Sequence, residues 1–261
     1  MAAGSARSIS PLQSYRADLH VHTVLSPCAG VEMIPPLIVE EALQQSIRLI
    51  AITDHNASAN IEAVQKAALG TSVLVLPGIE LQTREEVHVL CLFDQLEQVS
   101  AMQAWVDAAL PAIANRPDYF GEQFVVDHTG DFIRREERLL LTSANVSISE
   151  AWRKVEDLGG LLIPAHVNRQ ANGLLSLLGL VPTDVPIEAL EVSRHIHPQD
   201  APKKYPQIRG YPIIQNGDVH YLDGFLGSTV WTLAQVTISE MRMALHAEGG
   251  RGFHIMSPTV G

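Results

Sequence analysis

The chain has 261 residues, of which 46% are hydrophobic, and its formal net charge at pH 7 is -11. This length is enough for one domain of barrel size with a full apolar core, and the acidic balance disfavours a partner of long duplex nucleic acid. Two cysteines are too few for a disulfide framework, and no apolar stretch approaches the roughly 20 residues of a membrane span. We therefore expect a single cytoplasmic domain, 1–261, with no membrane partner.

Seven short apolar runs are predicted to be β-strands, with helical patterns between them. In chain order the runs are 15–21, 49–53, 73–79, 87–93, 161–165, 189–192 and 211–215. Helices are predicted over 35–47, which starts at two prolines, over 59–69, and over 149–158, which ends before two glycines. This alternation predicts a parallel α/β architecture, and about seven strand and helix pairs suggest a barrel.

Three segments depart from this pattern. Residues 112–147 are polar and form an insertion, in which 125–133 is predicted to be a hairpin around Thr129-Gly130-Asp131. Insertions of this kind often lie over an active site. The termini, 1–14 and 249–261, are expected to be loose.

Residues that commonly bind metals follow the predicted strands. His20 and His22 are two residues apart on one strand, so both imidazoles project from the same face. Further candidates occur at the ends of later apolar runs: Asp54, His55, Glu80, His88, His166, Asp218 and His220. Barrel enzymes gather their chemistry at the C-terminal ends of their strands, so we expect one shared site there.

The mixture of donors indicates the kind of metal. Imidazole nitrogens and carboxylate oxygens together suit Zn²⁺, Mn²⁺ or Fe²⁺. A glutamate at a strand end can bridge two ions, and two ions about 3.5–4 Å apart can stabilise an in-line displacement at phosphorus. Glu80 is the natural candidate for that bridge.

Over roughly residues 15–225, these motifs resemble those of the PHP (polymerase and histidinol phosphatase) metallophosphoesterases. The matching segments are Asp18-Leu19-His20-Val21-His22-Thr23, Thr53-Asp54-His55, Gly78-Ile79-Glu80 with His88, Pro164-Ala165-His166 and Gly217-Asp218-Val219-His220. Their order also agrees with the family. The resemblance implies a distorted (β/α)7 TIM-like barrel with a trinuclear metal site at the C-terminal ends of the strands.

The resemblance also implies a ligand set. One metal would take His20, His22, Glu80 and Asp218, a second Glu80, His88 and His166, and a third His55 and His220. At the remaining third-metal position, where the family usually has His or Asp, this chain has Cys28. Cys28 is either a thiolate ligand of Zn²⁺ or Fe²⁺, or a small buried residue beside a site that holds only two metals. The expected cofactors are therefore two or three divalent ions of Zn, Mn or Fe.

Neighbouring residues have candidate roles in catalysis. Glu80, Asp218 and Asp54 are the candidate catalytic carboxylates. Asp18 and Asp54 adjoin ligands and are placed to accept the second N–H of an imidazole, and for Asp54 we favour this role over direct ligation.

Basic side chains are expected at the rim of the site. Arg169 follows His166, and Arg194 follows the sixth predicted strand, so both are candidates to bind a substrate phosphate. His195, and less strongly His197, are candidates for the same role or for protonation of the leaving group.

The resemblance implies an enzyme, a metal-dependent phosphoesterase in which a metal-bound hydroxide attacks phosphorus. Its expected partner is a small phosphorylated substrate: a phosphomonoester or small phosphodiester such as a nucleotide, an oligonucleotide end or a compound like histidinol phosphate. Two alternatives stay open. One is a metal-dependent amidohydrolase or other ester hydrolase, and the other is a non-catalytic metal-binding module.

Overall fold

Strands and helices alternate along residues 11–256, the part of the chain that the computed structural model describes. The strands are β1 Gln13–Val21, β2 Leu49–Ile52, β3 Leu74–Gln82, β4 His88–Leu92, β5 Phe124–Val126, β6 Phe132–Arg135, β7 Leu161–Pro164, β8 Leu190–Val192, β9 Ile213–Gln215, β10 Thr229–Leu233 and β11 Gly252–Ile255. The helices are α1 Pro35–Gln44, α2 Ile61–Ala67, α3 Leu96–Ala109, α4 Pro117–Phe120, α5 Ile148–Asp157, α6 Leu174–Leu178, α7 Ala201–Lys204 and α8 Ile238–Leu245. The seven predicted strands correspond to β1, β2, β3, β4, β7, β8 and β9.

The main sheet is mixed and curls into a half-barrel, with strand order β11-β10-β1-β2-β3-β4-β7. Strands β1, β2 and β3 are parallel, whereas β4 runs antiparallel to both β3 and β7. Strands β8 and β9 form a separate parallel pair. The α/β class is thus confirmed, but the all-parallel arrangement is wrong, and the (β/α)7 count stays a prediction.

The direction of β4 follows from its short connection. Only residues 83–87 separate it from β3, and the Thr83 N–H donates to the Val87 carbonyl at 2.9 Å. A parallel neighbour needs a crossover of a dozen or more residues, so a link this short can only form a hairpin.

The predicted helices begin where their capping residues indicate. In α1, Pro35 is the first helical residue, and Ile34 before it is extended, as a residue preceding proline prefers to be. In α5, Ser147 accepts the N–H of Glu150, and the Glu150 side chain accepts the N–H of Ser147. Each of the three predicted helices buries one apolar face: Ile38 of α1, for example, is fully buried, which stabilises the fold by about 2–3 kcal/mol.

The insertion contains the predicted hairpin, formed by β5 and β6. The Asp127 side chain closes its turn by accepting the N–H groups of Thr129 and Asp131. The hairpin lies against the segment that follows β1, where the Phe124 N–H donates to the Val24 carbonyl. Of residues 112–147, all of which are described, only Leu141 lines the cavity of about 700 Å³ that Glu80 and His88 also line. The insertion therefore lies mostly beside the cavity, not over it.

The ends of the described range are more ordered than expected. Strand β1 begins at Gln13, inside the segment expected to be loose, and β11 pairs with β10 inside the predicted tail. Those parts of the prediction are wrong, and residues 1–10 and 257–261 lie outside the described residues. None of the helices within 11–256 has the length and apolar character to cross a bilayer.

Candidate metal centre

Six imidazoles and two carboxylates meet at one end of the half-barrel. The contributors are His20 and His22 at the end of β1, His55 after β2, Glu80 in β3, His88 at the start of β4, His166 after β7, and Asp218 and His220 after β9. Most lie at or beyond C-terminal strand ends, as predicted. His88 is the exception, because the antiparallel β4 brings its N-terminal end to this edge.

Glu80 is the centre of the cluster, and its side chain is fully buried. Its Oε1 lies 2.7 Å from His88 Nδ1, 3.1 Å from His166 Nε2 and 3.2 Å from His20 Nε2, and its Oε2 lies 2.8 Å from His55 Nδ1 and 3.4 Å from His22 Nε2. Both oxygens therefore face imidazole nitrogens, on opposite sides of one carboxylate. This is the placement expected of a carboxylate between two ions.

Within residues 11–256, three sets of donor atoms are close enough to hold an ion. They are His20, His22 and Asp218; His22, His55 and His220; and His55, Glu80 and His88, with the atoms of each set within 4.8 Å of one another. The first set belongs to the first metal implied by the resemblance. The others divide the residues differently, since His55 lies beside Glu80 as well as near His220.

The donor atoms of the first set fit a cation. His20 Nε2, His22 Nε2 and Asp218 Oδ1 are buried and have no hydrogen-bond partner among the described residues. The two nitrogens lie 3.3 and 3.4 Å from the oxygen. A buried polar atom without a partner costs about 1–3 kcal/mol, and three in one place are explained by a metal that all three coordinate.

Asp54 acts on His22 through an intervening serine. Its carboxylate accepts the N–H and hydroxyl of Thr23 and the hydroxyl of Ser26, each at 2.7 Å. Ser26 Oγ, having donated to Asp54, accepts from His22 Nδ1 at 2.9 Å. With its proton on Nδ1, His22 presents the lone pair of Nε2 to the cluster. Asp54 is fully buried and does not line the cavity, so its contribution would be positional.

Glu191, which sequence reasoning missed, does the same for His20. Its carboxylate lies 3.2 Å from His20 Nδ1, accepts the His166 N–H at 2.9 Å and accepts the Asn216 side-chain amide at 2.7 Å. Glu191 is 1% exposed and is the middle residue of β8. An acidic residue inside an otherwise apolar strand was the sequence signal for it.

Asp18 does not orient an imidazole, contrary to one of our expectations. Its buried carboxyl accepts the backbone N–H groups of Gly217, Leu226 and Gly227 at 2.9, 2.9 and 3.2 Å. Burial raises the pKa of Asp18 to about 6, although these three hydrogen bonds lower it. Asp18 therefore fixes the loop that carries Asp218.

Burial and neighbouring charges shift the pKa values of the cluster in opposite directions. Burial favours the neutral imidazole of His55, but the charge of Glu80 together with the hydrogen bonds to Cys28 and Glu80 and the charge of Cys28 raises that pKa to about 10. At His88 burial prevails and lowers the pKa to about 4. For Cys28, burial works against ionisation, but hydrogen bonds with His220 and His55 lower the pKa to about 6. The Cys28 thiol therefore lies beside His55 and His220, where the resemblance implies a third metal.

Six of the eight cluster residues line a cavity of about 700 Å³, and His20 and His22 lie behind them. Arg169, Arg194 and His195 line it, as predicted for a rim. Arg169 forms an ion pair with Asp218, and Arg194 donates to the Gly224 carbonyl at 3.2 Å. The cavity therefore combines buried metal-binding donors with exposed cations at its mouth.

Two of the candidate ligands have left-handed backbones. His166 has φ 28° and Asp218 has φ 51°, and each follows the end of a strand, β7 and β9. For residues other than glycine this conformation costs on the order of 1–3 kcal/mol, and the surrounding structure must enforce it. Both turns aim a ligand back over the end of the sheet.

The chain matches known proteins over most of its length. The PHP domain family model matches residues 18–155, more than half of the chain. YqxK of Bacillus subtilis (strain 168), an uncharacterised protein, is 25% identical over 237 residues, which are 79% of this chain and 55% of YqxK. The 5′-3′ exoribonuclease Rnm of Salmonella typhimurium is 32% identical over 80 residues, which are 29% of this chain and 26% of Rnm.

Solved structures share the fold. The lesion-specific endonuclease Q of Pyrococcus furiosus has a TM-score of 0.68 at 20% identity and covers 95% of this chain and 60% of its own. Endonuclease Q in complex with a 27-mer duplex, with an abasic lesion at the active site, also gives 0.68 at 20% identity over 92% of this chain and 58% of its own. The chain thus spans about half the length of YqxK and about three fifths of endonuclease Q.

The duplex-bound endonuclease Q overturns one prediction. We expected no long duplex nucleic acid as a partner because the chain is acidic, but a protein of this fold holds a 27-mer duplex. Net charge averages over the whole surface, whereas a nucleic acid responds to the local potential around the site that it enters. The exclusion based on net charge is therefore wrong.

Proposed function

We propose, from the premise that this chain belongs to the PHP domain family, that it is a metal-dependent phosphoesterase that acts on nucleotides or nucleic acid strands. The cofactors would be two or three Zn, Mn or Fe ions. The observation that carries the proposal is the convergence of His20 Nε2, His22 Nε2 and Asp218 Oδ1 as buried atoms without partners, beside the central Glu80. When bound, the ions would supply an activated water and neutralise charge on the phosphoryl group.

The protein side chains would hold and orient these ions. His20, His22 and Asp218 would take one ion, and Glu80 would join it to a second held with His88 and His166. His55 and His220 would hold a third, with Cys28 as a candidate ligand. The hydrogen bonds from His20 to Glu191 and from His22 to Ser26 keep the Nε2 lone pairs directed at the cluster.

The rim would bind the substrate. Arg194 and His195 are exposed side chains on the cavity wall, where a phosphate approaching the cluster would meet them. Arg169, paired with Asp218 and 45% exposed, lines the same cavity and would contact the same phosphate. His195 is the candidate for donating a proton to the leaving oxygen.

The first test combines metal analysis with a substrate panel. The protein is stripped with chelator, reconstituted with Mn²⁺ or Zn²⁺, and assayed on a nucleoside monophosphate, a short oligonucleotide, a duplex and an acyl ester. We expect two or three bound ions and phosphate-ester hydrolysis that chelator abolishes. Hydrolysis of the acyl ester alone would instead favour the amidohydrolase, and bound metal with no turnover the non-catalytic module.

A matched pair of variants assigns the activity to this site. Glu80→Gln removes the central charge and should lower both metal content and turnover, the latter by at least about a hundredfold. Glu97→Gln makes the same change on the exposed first turn of α3 and should leave both unchanged. Unaltered turnover in Glu80→Gln would refute the proposal.

A further inference from the structure

One part of the metal centre, which we call the thiol corner, consists of His22, His55, His220 and Cys28. Donor atoms of the three histidines lie within 4.8 Å of one another, and this set, unlike the other two within residues 11–256, contains no carboxylate. His22 Nε2 is buried and has no hydrogen-bond partner among the described residues. Cys28 makes hydrogen bonds with His220 and His55. A cation here would therefore meet imidazoles and a thiol, donors that suit Zn²⁺ and Fe²⁺.

Two contacts fix the loop that carries Cys28. Ser26 Oγ, two residues before it, accepts the backbone N–H of His55 at 3.2 Å. Gly30, two residues after it, donates its N–H to the carbonyl of His220 at 2.8 Å. Each side of the loop is thus joined to one of the two histidines that the Cys28 thiol contacts. The fold therefore places the thiol at this corner, and no bound ligand is needed for its placement.

The two cysteines of the chain differ in access to small molecules. Cys28 lines the cavity of about 700 Å³, so a reagent that enters this cavity meets its thiol. Cys91 is fully buried in β4 among apolar side chains and does not line the cavity, and burial raises the pKa of its thiol. Oxidised Cys28 therefore has no second thiol of the same chain with which to form a disulfide, and a peroxide converts it to a sulfenic acid.

We propose that Cys28 is an oxidation site, and that its reaction with a peroxide releases the third ion from the thiol corner. This inference rests on the metal centre of the proposed function. A thiol that coordinates a cation is held as the thiolate. Its sulfur attacks one peroxide oxygen, so that an S–O bond forms, the O–O bond breaks and hydroxide leaves with the electron pair; sulfur loses two electrons and the peroxide gains them. The sulfenic acid is uncharged, so the ion loses its anionic sulfur ligand.

The test adds hydrogen peroxide to Zn²⁺-loaded protein of known metal content and follows the released metal with a chromogenic chelator. We expect about one ion per chain to be released, in step with labelling of Cys28 by a sulfenic-acid reagent, as mass spectrometry of its peptide will show. Cys28→Asp supplies a carboxylate, which binds Zn²⁺ but is inert to peroxide, so this variant should keep its ions. Cys91→Ala should release metal as wild type does. Equal release from Cys28→Asp and wild type would overturn the proposal.

An alkylation measurement needs neither turnover nor a variant, and it separates this proposal from the proposed function. Labelling of Cys28 by iodoacetamide is followed by mass spectrometry in the Zn²⁺-loaded protein and in the protein kept in chelator. Coordination should slow this labelling at least about tenfold, while Cys91 stays unlabelled in both. Equal rates at Cys28 would refute the proposal, even if phosphate esters are hydrolysed. Slow labelling together with peroxide-driven release would support it, even if no phosphate ester is hydrolysed.

Discussion

On one flank of the metal centre, β1 to β4 are joined by backbone ladders, whereas on the other flank polar side chains join the β8–β9 pair to its neighbours. Toward β1, the Leu19 N–H donates to Asn216 Oδ1 at 2.9 Å, and Val21 and Val219 form only an isolated bridge. Toward β7, the Ser193 N–H donates to Asn168 Oδ1 at 2.8 Å. A ladder tolerates side-chain changes. The second flank has only isolated backbone hydrogen bonds, such as that from the Val167 N–H to the Glu191 carbonyl at 2.9 Å, and therefore depends more on individual side chains.

Loss of Glu191 should show this difference most strongly. Glu191→Ala leaves His20 Nδ1, the His166 N–H and the Asn216 amide without their shared acceptor. We expect a loss of about 3–5 kcal/mol in the free energy of unfolding and loss of bound metal from the folded protein. Urea unfolding and elemental analysis measure the two effects, and Glu191→Gln, which keeps an acceptor, should restore part of each.

The matched change on the ladder flank is Ile50→Ala. Ile50 is fully buried in β2, so truncation should cost about 2–5 kcal/mol, comparable to the loss at Glu191. The backbone ladder remains, so the metal content of the folded fraction should not change. Equal metal loss in Ile50→Ala and Glu191→Ala would contradict the comparison, because it would mean that metal binding depends on the ladder flank as much as on the flank held by side chains.

Because Asp18 binds the loop that carries Asp218, on the flank held by side chains, its ionisation should make the free energy of unfolding depend on pH. Burial raises its pKa from 3.8 to about 6, and backbone hydrogen bonds only partly oppose this. The folded chain therefore binds more protons than the unfolded chain between about pH 4 and pH 6, so the free energy of unfolding falls as pH rises through that window. At about 1.4 kcal/mol per pKa unit, the fall is at most about 3 kcal/mol.

Asp18→Asn should remove this pH dependence. The free energy of unfolding of the variant, relative to wild type, should rise from about pH 4 to pH 6, as urea unfolding at several pH values will measure. A difference that stays constant across the window would show that Asp18 does not keep its proton in the folded state.

Asn216→Ala should have the smallest effect of these changes. It removes the acceptor of the Leu19 N–H and one of the donors to Glu191, at a cost of about 1–3 kcal/mol. Hydrogen exchange at the Leu19 amide should quicken, while the amides of β2 stay protected. Equal acceleration on both strands would mean that the flanks open together.

The sequence was informative where the physics is local. Apolar runs marked the seven strands around the site, and the hairpin followed from Thr129-Gly130-Asp131. The direction of β4 was missed, although the short segment before His88 leaves no room for a crossover. Strand β11 was missed because its Gly-rich surroundings resemble a tail, and only its pairing with β10 makes it a strand.

Within the site, residues adjacent to a motif were easier to interpret than those that depend on tertiary contacts. The candidate ligands lie in one cluster, but their division among ions remains a prediction. Glu191 lies far along the chain from His20, and its role becomes visible only when the fold brings its carboxylate to His20 Nδ1. Asp18 and Asp54 both adjoin candidate ligands, yet they make different contacts. Asp18 accepts the backbone N–H of Gly217 in a loop, whereas Asp54 accepts the hydroxyl of Ser26.

The left-handed backbones at His166 and Asp218 have a consequence for how such a protein evolves. A glycine at either position would relax the turn and at the same time delete a candidate ligand. Selection for thermal stability alone should therefore enrich glycine at these two positions, with the metal centre lost as stability increases. At these positions, the persistence of His and Asp in a lineage would itself record selection for activity.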